Sequence, residues 1–483
     1  MVEYSELINK DISVEDAITR NVLDKQNVSE EFKLNTNQRK YDKQYFSMYQ
    51  YRFKNLKDRI HINSLEKWGD GTKKVDGQLV KKQDKILDIT SGQLCWVIGT
   101  VFCDLKNKLN ILQDVEKGTD DIIPNIPDSY IGDDDDTSLA VMIEDESGRA
   151  ILHNEEFLQK NILVSGCIVG VLGIEIQAGI FEIMDIAYPT FAPQPPLSLE
   201  TGSGNNKIAL ISGLNIDYHV NDIKLDLLTD ILTGELGSEK ERDLIKSISK
   251  LIIAGDSIRP LKIIDNGEDF VTTNNYGSKI QSRFDSKSVE KFDKFLSEIL
   301  PSLPISIMPG NNDIAEICLP QQPLHKSTFH NNYQFLSDPN YLQNLTNPQW
   351  FEINGIKILG TAGQNVEDIL RYINKSSDVN NEEVKSDKIL SIMESQIKWQ
   401  NFVPTAPDTL YCYPYDDFDP FIFEKETPHV YFVGNQPKFG SEWYKYDDDK
   451  FVRLISIPKF SETGEIILLD LDNLQTEVIK ISV

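Results

Sequence analysis

Six short apolar runs recur between residues 207 and 458: KIALISGL (Lys207–Leu214), KLIIAGDSI (Lys250–Ile258), PISIMPGNN (Pro304–Asn312), IKILGTAG (Ile356–Gly363), HVYFVGNQ (His429–Gln436) and FVRLISIP (Phe451–Pro458). Each is too short for an amphipathic helix and too continuous for a half-exposed strand, so each must be covered on both faces. The stretches between them supply the cover. In Val289–Leu300 the residues Val289, Phe292, Leu296, Ile299 and Leu300 fall on one helical face. Strand–helix alternation of this kind predicts an α/β domain over residues 207–483.

The preceding stretch, 89–190, has a different rhythm. CWVIGTVF (Cys95–Phe102), LAVMIEDESGRAIL (Leu139–Leu152, with a tight turn at Gly148), NILVSGCIVGVLGIEI and GIFEIMDIAY read as about five short, glycine-rich strands, the pattern of a small barrel. An acidic stretch, 104–137, ends in Asp133–Asp136 and reads as a mobile loop inserted between strands. FAPQPPLSLETGSGNN (191–206) carries three prolines and two glycines and predicts a linker between the two domains. Residues 1–38 are polar and weakly periodic, and predict a flexible arm. Residues 374–388 are rich in Ser, Asn and Glu, and predict a disordered surface insertion.

Charge narrows the function classes. The 483 residues carry a formal net charge of −27, which excludes a chain that binds nucleic acid through its whole surface. One segment runs against the trend: Arg39–Lys85 holds 13 basic and 6 acidic residues, with Tyr41, Tyr45, Tyr49, Leu56 and Ile60 at helical steps. The helical segment 39–88 is expected to dock its rings on the next domain while its Lys and Arg face water. The barrel, with 5 basic and 18 acidic residues between Thr90 and Thr190, would repel a phosphate backbone. The five cysteines stand far apart, with no C-x-x-C pair, and read as reduced, buried thiols. With no apolar leader at the N-terminus and no uncharged run as long as the about 18–20 residues of a spanning helix (Asn161–Ile174 has 14), a soluble protein off the membrane is expected.

Four of the α/β strands end in glycine-containing turns: Ser212-Gly213-Leu214-Asn215, Gly255-Asp256, Gly310-Asn311-Asn312-Asp313 and Gly434-Asn435-Gln436-Pro437. In order and spacing these resemble the loops of calcineurin-like metallophosphoesterases, which carry Ser-Asp-x-His, Gly-Asp, Gly-Asn-His-Asp/Glu and Gly-His-x-His. Such sites need a bridging carboxylate and several imidazoles to hold two metals. Against that pattern Gly213 replaces the first aspartate and Asn215 the first histidine. Asp256 and Asn311 match a carboxylate and an amide ligand, Asn312 replaces the third-motif histidine beside Asp313, and Asn435 and Pro437 replace the last two. Thr361–Gln364 offers no imidazole either. Two surviving donors cannot hold two divalent ions, so neither catalysis nor a metal or other cofactor is expected. The six histidines (His61, His153, His219, His325, His330, His429) all lie outside these turns. Asp408, Asp416, Asp417 and Asp419 cluster near an aromatic run and read as a solvated loop rather than a metal site.

A barrel followed by a ligand-stripped phosphoesterase-like domain resembles the B (small) subunits of replicative DNA polymerases, and within them the fungal delta form. The resemblance rests on QYFSMYQYR (44–52), KWGDG with GQLV (67–80), IEDESGR (143–149), KIALISGLN (207–215), MPGNND (308–313), LPQQPLHKSTF (319–329), KWQNFVPTAPDTLYCYPY (398–415) and GEIILLDLDNLQTEVIKI (464–481). It implies an OB-fold barrel followed by an inactive metallophosphoesterase-like β-sandwich flanked by helices. It further implies a nuclear scaffold that grips the C-terminal metal-binding domain of the polymerase delta catalytic subunit. The same scaffold would bind a third small accessory subunit, be shared with the polymerase zeta catalytic subunit, and make little direct DNA contact. Two other readings stay open here. One is a divergent metal-dependent phosphoesterase or exonuclease using Asp256, Asn311 and Asp313; the other is a single-strand-binding module acting through the barrel and Arg39–Lys85.

Overall fold

A computed structural model of the protein describes residues 20–482 apart from 24–25, 36–38, 43, 76, 106, 109–126, 132–139, 198–205, 262–283, 339 and 374–381. The N-terminal part opens with β1 (Gln26–Val28) and the long helix α1 (Phe46–Trp68). A short hairpin, β2 (Lys74–Val75) and β3 (Gln78–Leu79), follows. The barrel comprises β4 (Lys81–Lys82), β5 (Leu94–Asp104), β6 (Ala140–Glu144), β7 (Arg149–His153), helix α2 (Glu155–Lys160), β8 (Ile168–Gln177) and β9 (Ile180–Ala187). Its strand order is β4-β5-β6-β7-β9-β8, and antiparallel pairing of β5 with β8 closes it. Alternation places Val141, Ile143, Ala150 and Leu152 inside, as a closed sheet of this size requires.

The second part is a β-sandwich. Its elements run β10 (Lys207–Ile211), α3 (Ile223–Thr233), α4 (Glu239–Lys246), β11 (Ile248–Ala254), α5 (Ser286–Ile299), β12 (Ile305–Met308), β13 (Leu342–Asn344), β14 (Gln349–Ile353), β15 (Ile356–Thr361), α6 (Gln364–Ile373), α7 (Glu382–Trp399), β16 (Val430–Gln436), β17 (Gly440–Asp447), β18 (Lys450–Pro458), α8 (Phe460–Thr463), β19 (Glu465–Asp470) and β20 (Thr476–Lys480). They form two six-stranded sheets, β1-β14-β15-β16-β18-β17 and β13-β12-β11-β10-β19-β20. Between the sheets Ile208, Leu210, Ile252, Ile358, Phe432, Ile455 and Leu469 form one core. Helices α3 and α5 cover the outside of the second sheet through Leu228, Leu232, Phe292 and Leu296. The six apolar runs of the sequence are thus β10, β11, β12, β15, β16 and β18, four of them ending at the carboxyl edge where α/β folds place their sites.

The barrel and the sandwich are not two beads on a string. Val169 and Phe181 of the barrel share a single buried cluster with Leu359, Ile392, Trp399 and Val433 of the sandwich. The expected linker, 191–206, is therefore corrected over its described part. Phe191 stacks on Tyr446 at 4.1 Å, the Ala192 N–H donates to Gln400 Oε1, and Gln194 Nε2 donates to the Pro428 and Phe451 carbonyls. Prolines suit this extended packed path as well as they suit a tether, which is why composition could not separate the two.

The flexible-arm expectation for 1–38 also fails where residues are described. β1 adds antiparallel to β14, with Gln26 opposite Ile353 and Val28 opposite Phe351. Phe32 is fully buried, and the Arg20 guanidinium donates to the carbonyls of Leu232, Ile245 and Ile248 around α3 and α4. The strap is held by backbone pairing and by scattered side chains such as Arg20, Leu23 and Phe32, so its sequence shows no periodic apolar pattern. Within the insertion 104–137, Tyr130 is buried with its hydroxyl donating to Asp368 at 2.8 Å, and Lys108 pairs with Asp408 at 2.5 Å. Asp133–Asp136 lie outside the described residues. The expected insertion 374–388 runs into α7 from Glu382; residues 374–381 lie outside the described residues.

On α1 the expected division of rings inward and cations outward is wrong in one decisive place. The buried stripe is Met48, Arg52, Leu56, Ile60, Ser64 and Trp68, while Tyr41 precedes the helix and is exposed. Arg52 is 1 % exposed; its Nε donates to Asp419 Oδ2 at 2.5 Å, and its two terminal nitrogens donate to the Pro404 and Ala406 carbonyls at 2.9 Å each. Burial alone would lower the guanidinium pKa, but the Asp419 charge wins and holds it above its ordinary value. Asp419, expected in a solvated acidic loop, is instead a buried counter-ion. Asp416 and Asp417 remain exposed.

Lys250 shares the inner face of β11 with Ile252 and Ala254, and is 1 % exposed. Its ammonium donates to Gln26 Oε1 from β1 at 2.7 Å and to Gln343 Oε1 from β13 at 2.6 Å. Burial lowers its pKa to about 7. Between that value and the unfolded value near 10.5 the unfolded chain holds a proton that the folded chain does not. Stability should therefore rise with pH across this window by up to about 1.4 kcal/mol per unit, and the slope should vanish below pH 7. Lys250→Met is expected to flatten that slope. Denaturant unfolding of both proteins between pH 7 and pH 9 measures it, and equal slopes would refute the assignment.

Candidate functional site

The degenerate motifs converge at the carboxyl edge of the sandwich. β10 runs into Gly213, β11 into Gly255-Asp256, β12 into Gly310–Asp313 and β16 into Asn435. Their backbones are knitted together: Gly213 N donates to Gly255 O at 3.0 Å, Asn215 N to Asp256 O at 2.9 Å and Ile216 N to Ser257 O at 2.9 Å. Asn215, Asp256 and Asn435 have φ of +47°, +54° and +60°. This left-handed backbone is disfavoured for most side chains but tolerated by Asn and Asp, and it is typical of positions held by a functional geometry. The turns thus hold a constrained, left-handed backbone at three of the positions singled out from the sequence.

Both carboxyls and three of the amides are engaged by the protein itself. Asp256 accepts the Asn312 N–H on Oδ1 at 2.9 Å and Asn312 Nδ2 on Oδ2 at 3.0 Å. Asp313 accepts the Ser257 and Ile258 N–H groups on Oδ1 at 2.8 and 3.1 Å, and the Gly310 N–H on Oδ2 at 2.8 Å. Burial raises the pKa of both carboxyls, each held against nearby negative charge. Asn215 Nδ2 donates to Ser461 Oγ, and Asn435 Nδ2 to the Ala362 carbonyl at 2.8 Å. Asn311 is exposed and Pro437 half-buried. Gly310 must be glycine, because a Cβ there would fall on Asp256.

These residues do not fit the two metals that a phosphoesterase-like fold implies. Among the described residues no three His, Cys, Asp or Glu side chains come together as metal donors. The two carboxylates are consumed by N–H donors, and the amides supply no strong nitrogen ligand. The nearest histidines are engaged elsewhere: His219 lies 3.3 Å from Asp285, and His325 Nδ1 accepts from Ser327. His429 is buried, accepting the Lys357 N–H on Nδ1 and donating from Nε2 to Pro195 O, with burial lowering its pKa.

Motif matching missed three supports of the site. Lys459 lays its side chain over Gly213: a Cβ built on that glycine would stand 2.8 Å from Lys459 Cβ and Cγ, and 2.9 Å from Asn435 Oδ1. Ser212 Oγ accepts the Asn435 N–H at 2.8 Å. Gln321 Nε2 donates to the Gly310 carbonyl at 3.0 Å, while the next residue, Gln322, holds the N-terminal strap through Phe32 O and Leu34 N. LPQQPLH stood out in the sequence, and both its glutamines carry structural work.

A closed small barrel fused to a sandwich whose phosphoesterase turns lack their donors defines the class of B subunits of DNA polymerases. The family profile for the DNA polymerase alpha/epsilon B-subunit matches residues 208–441, and that for the DNA polymerase delta subunit OB-fold domain matches residues 44–186. The chain is 39 % identical to the DNA polymerase delta small subunit of Saccharomyces cerevisiae, over 95 % of this chain and 93 % of that one. It is 36 % identical to the small subunit from Arabidopsis thaliana (82 % and 84 % covered) and 33 % identical to that from Oryza sativa subsp. japonica (82 % and 86 %). The chain belongs to the DNA polymerase delta small subunit family. No described helix is long and apolar enough to cross a membrane.

Proposed function

We infer that the chain is a non-catalytic scaffold of the DNA polymerase delta complex. It bridges the C-terminal metal-binding domain of the catalytic subunit and a third, smaller accessory subunit. It works in the nucleus in DNA replication and, through sharing with the catalytic subunit of polymerase zeta, in translesion synthesis and repair. The observation that carries the non-catalytic part is the internal use of the two carboxyls at the turns: Asp256 and Asp313 accept backbone and amide N–H groups where an enzyme would present free lone pairs, which leaves the exposed Asn311 as a single amide donor. Gly213, Asn215, Asn312, Asn435 and Pro437 stand at the remaining ligand positions. The acidic bulk of the chain suits basic protein partners and disfavours direct DNA contact.

Two measurements test the reading. The purified chain with manganese should release no product from a phosphodiester or a single-stranded DNA substrate. Turnover that Asp256→Ala abolishes would instead establish the divergent-phosphoesterase reading. Co-expression with the C-terminal domain of the catalytic subunit should give a stable complex, and failure to co-purify would remove the scaffold assignment.

A further inference from the structure

Half of the barrel's outer face is covered by the chain itself. Helix α1 lies over β5 and β8, with Leu56 and Ile60 packed among Trp96, Ile98 and Leu172. That helix buries one stripe and is basic: Phe46–Trp68 holds five Lys and Arg residues against two acidic ones. The other half of the face, over the end of β5 and over β6, β7 and β9, is open, and Ile151 at its centre is 41 % exposed.

On this open half the strand register lines up one apolar residue per strand. Phe102 of β5 stands opposite Met142 of β6, Met142 opposite Ile151 of β7, and Ile151 opposite Ile180 of β9. Each neighbours an inward residue (Val101, Val141, Leu152 or Phe181), so all four share the outer face. Ile176 of β8, 55 % exposed, follows next to the Gln177–Ile180 pair. Three interstrand steps make the row from Phe102 to Ile180 about 14 Å long. Residues i, i+3, i+7 and i+10 of an α-helix span about 15 Å, so a helix laid across the strands can set one side chain on each.

The borders of the row are acidic. Along one side run Thr100, Glu144 and Arg149, and along the other Asp104, His153 and Glu182. Arg149 pairs with Glu144 at 2.6 Å and His153 with Glu182 at 2.7 Å. Three carboxylates against one guanidinium and one imidazole leave the borders net negative whether or not His153 carries a proton. Lys108 lies 5.0 Å from the centre of the Phe102 ring but is cancelled by Asp408 at 2.5 Å, and Lys85 is cancelled by Glu146 at 3.1 Å. Between Ala140 and Thr190 the chain holds eight acidic residues and two basic ones.

We propose that the open half of the barrel docks a basic amphipathic helix of a protein partner, much as α1 covers the other half. Its apolar side chains fill the row from Phe102 to Ile180, and its Lys and Arg meet Asp104, Glu144 and Glu182. This docking face deepens the scaffold function and rests on it only in that the occupant is a protein.

The test uses the full chain at low salt and calorimetry with two probes. One is a peptide of about 15 residues built of leucine, lysine and glutamine, with its leucines at i, i+3, i+7 and i+10; the other is a scrambled peptide of the same composition. The patterned peptide should bind saturably and the scrambled one about tenfold more weakly, because charge alone does not fill the row. Ile151→Thr with Ile180→Thr keeps β-branched residues in both strands and should weaken the patterned peptide about tenfold. Ile151→Thr alone, at the exposed centre, should shift binding the same way by less, and serves if the unfolding temperature shows the double variant to be damaged. Absence of saturable binding, equal binding of the two peptides, or equal binding by parent and threonine variants would each overturn the proposal. So would self-association of the parent that Ile151→Thr abolishes, since a second copy would then be the occupant. If the peptide fails while the catalytic subunit's C-terminal domain still co-purifies, the docking face falls and the scaffold function stands. A peptide that binds a chain unable to co-purify with that domain gives the reverse.

Discussion

Replacing Arg52 by alanine is expected to lower the unfolding free energy of the chain by about 3–5 kcal/mol, the cost of stranding a buried counter-ion. Asp419, fully out of water, would lose its partner, and the Pro404 and Ala406 carbonyls would lose donors. The effect should be local in origin but global in reach, because α1 packs on β5 and β8 of the barrel while Asp419 belongs to the sandwich. A double variant, Arg52→Met with Asp419→Leu, separates charge from packing. If the unpaired carboxylate is the cause, the double variant should recover more than half of the loss in urea unfolding. A double variant as unstable as Arg52→Ala would assign the loss to packing instead.

The second large effect concerns placing at Gly213 the aspartate that the phosphoesterase motif carries at this position. Gly213→Asp recreates the aspartate of the phosphoesterase motif, and should destabilise the chain by about 2–4 kcal/mol without conferring manganese binding. The backbone there has φ +62°, and the new Cβ would press on Lys459 and on Asn435 Oδ1, itself a buried oxygen without a hydrogen-bond partner. Lys459→Gly removes the two carbons in the way, and since Lys459 has φ −68° it tolerates glycine. The pair Gly213→Asp with Lys459→Gly should therefore unfold closer to the parent than Gly213→Asp alone. If Gly213→Asp proved as stable as the parent and bound manganese, the view that the site is closed by steric and hydrogen-bond occupation would fall.

The parts of this fold that were legible in the sequence are those whose signal is local. Continuous apolar runs such as KLIIAGDSI announced central strands, because a strand buried on both faces has no polar side to interrupt it. The edge strands did not announce themselves: in Leu342–Asn344 or Thr476–Lys480 half-exposed polar residues hide the period. Helix α7 begins in the Ser- and Glu-rich stretch that read as disorder, and only its later residues, Ile389, Ile392, Met393 and Ile397, carry an apolar face. At the site, spacing was enough to find Gly213, Asp256, Asn312 and Asn435. It could not find Lys459, which approaches Gly213 from far along the chain, or show that Asn312 spends its amide on Asp256. The Arg52–Asp419 pair joins two residues 367 positions apart; no window of sequence holds both, so each looked like an ordinary surface charge.

The N-terminal strap has a consequence for how the chain is made. β1 pairs with β14, and Arg52 pairs with Asp419, so both of these anchors lack their partners until roughly 300 or more further residues have been synthesised. At ordinary ribosomal rates that interval is on the order of tens of seconds. During it the nascent amino-terminal segment carries an open strand and an unpaired cation. The amino-terminal strap is therefore secured only late in synthesis, and a chain that stops short of Asp419 leaves the Arg52 guanidinium of α1 without its counter-ion.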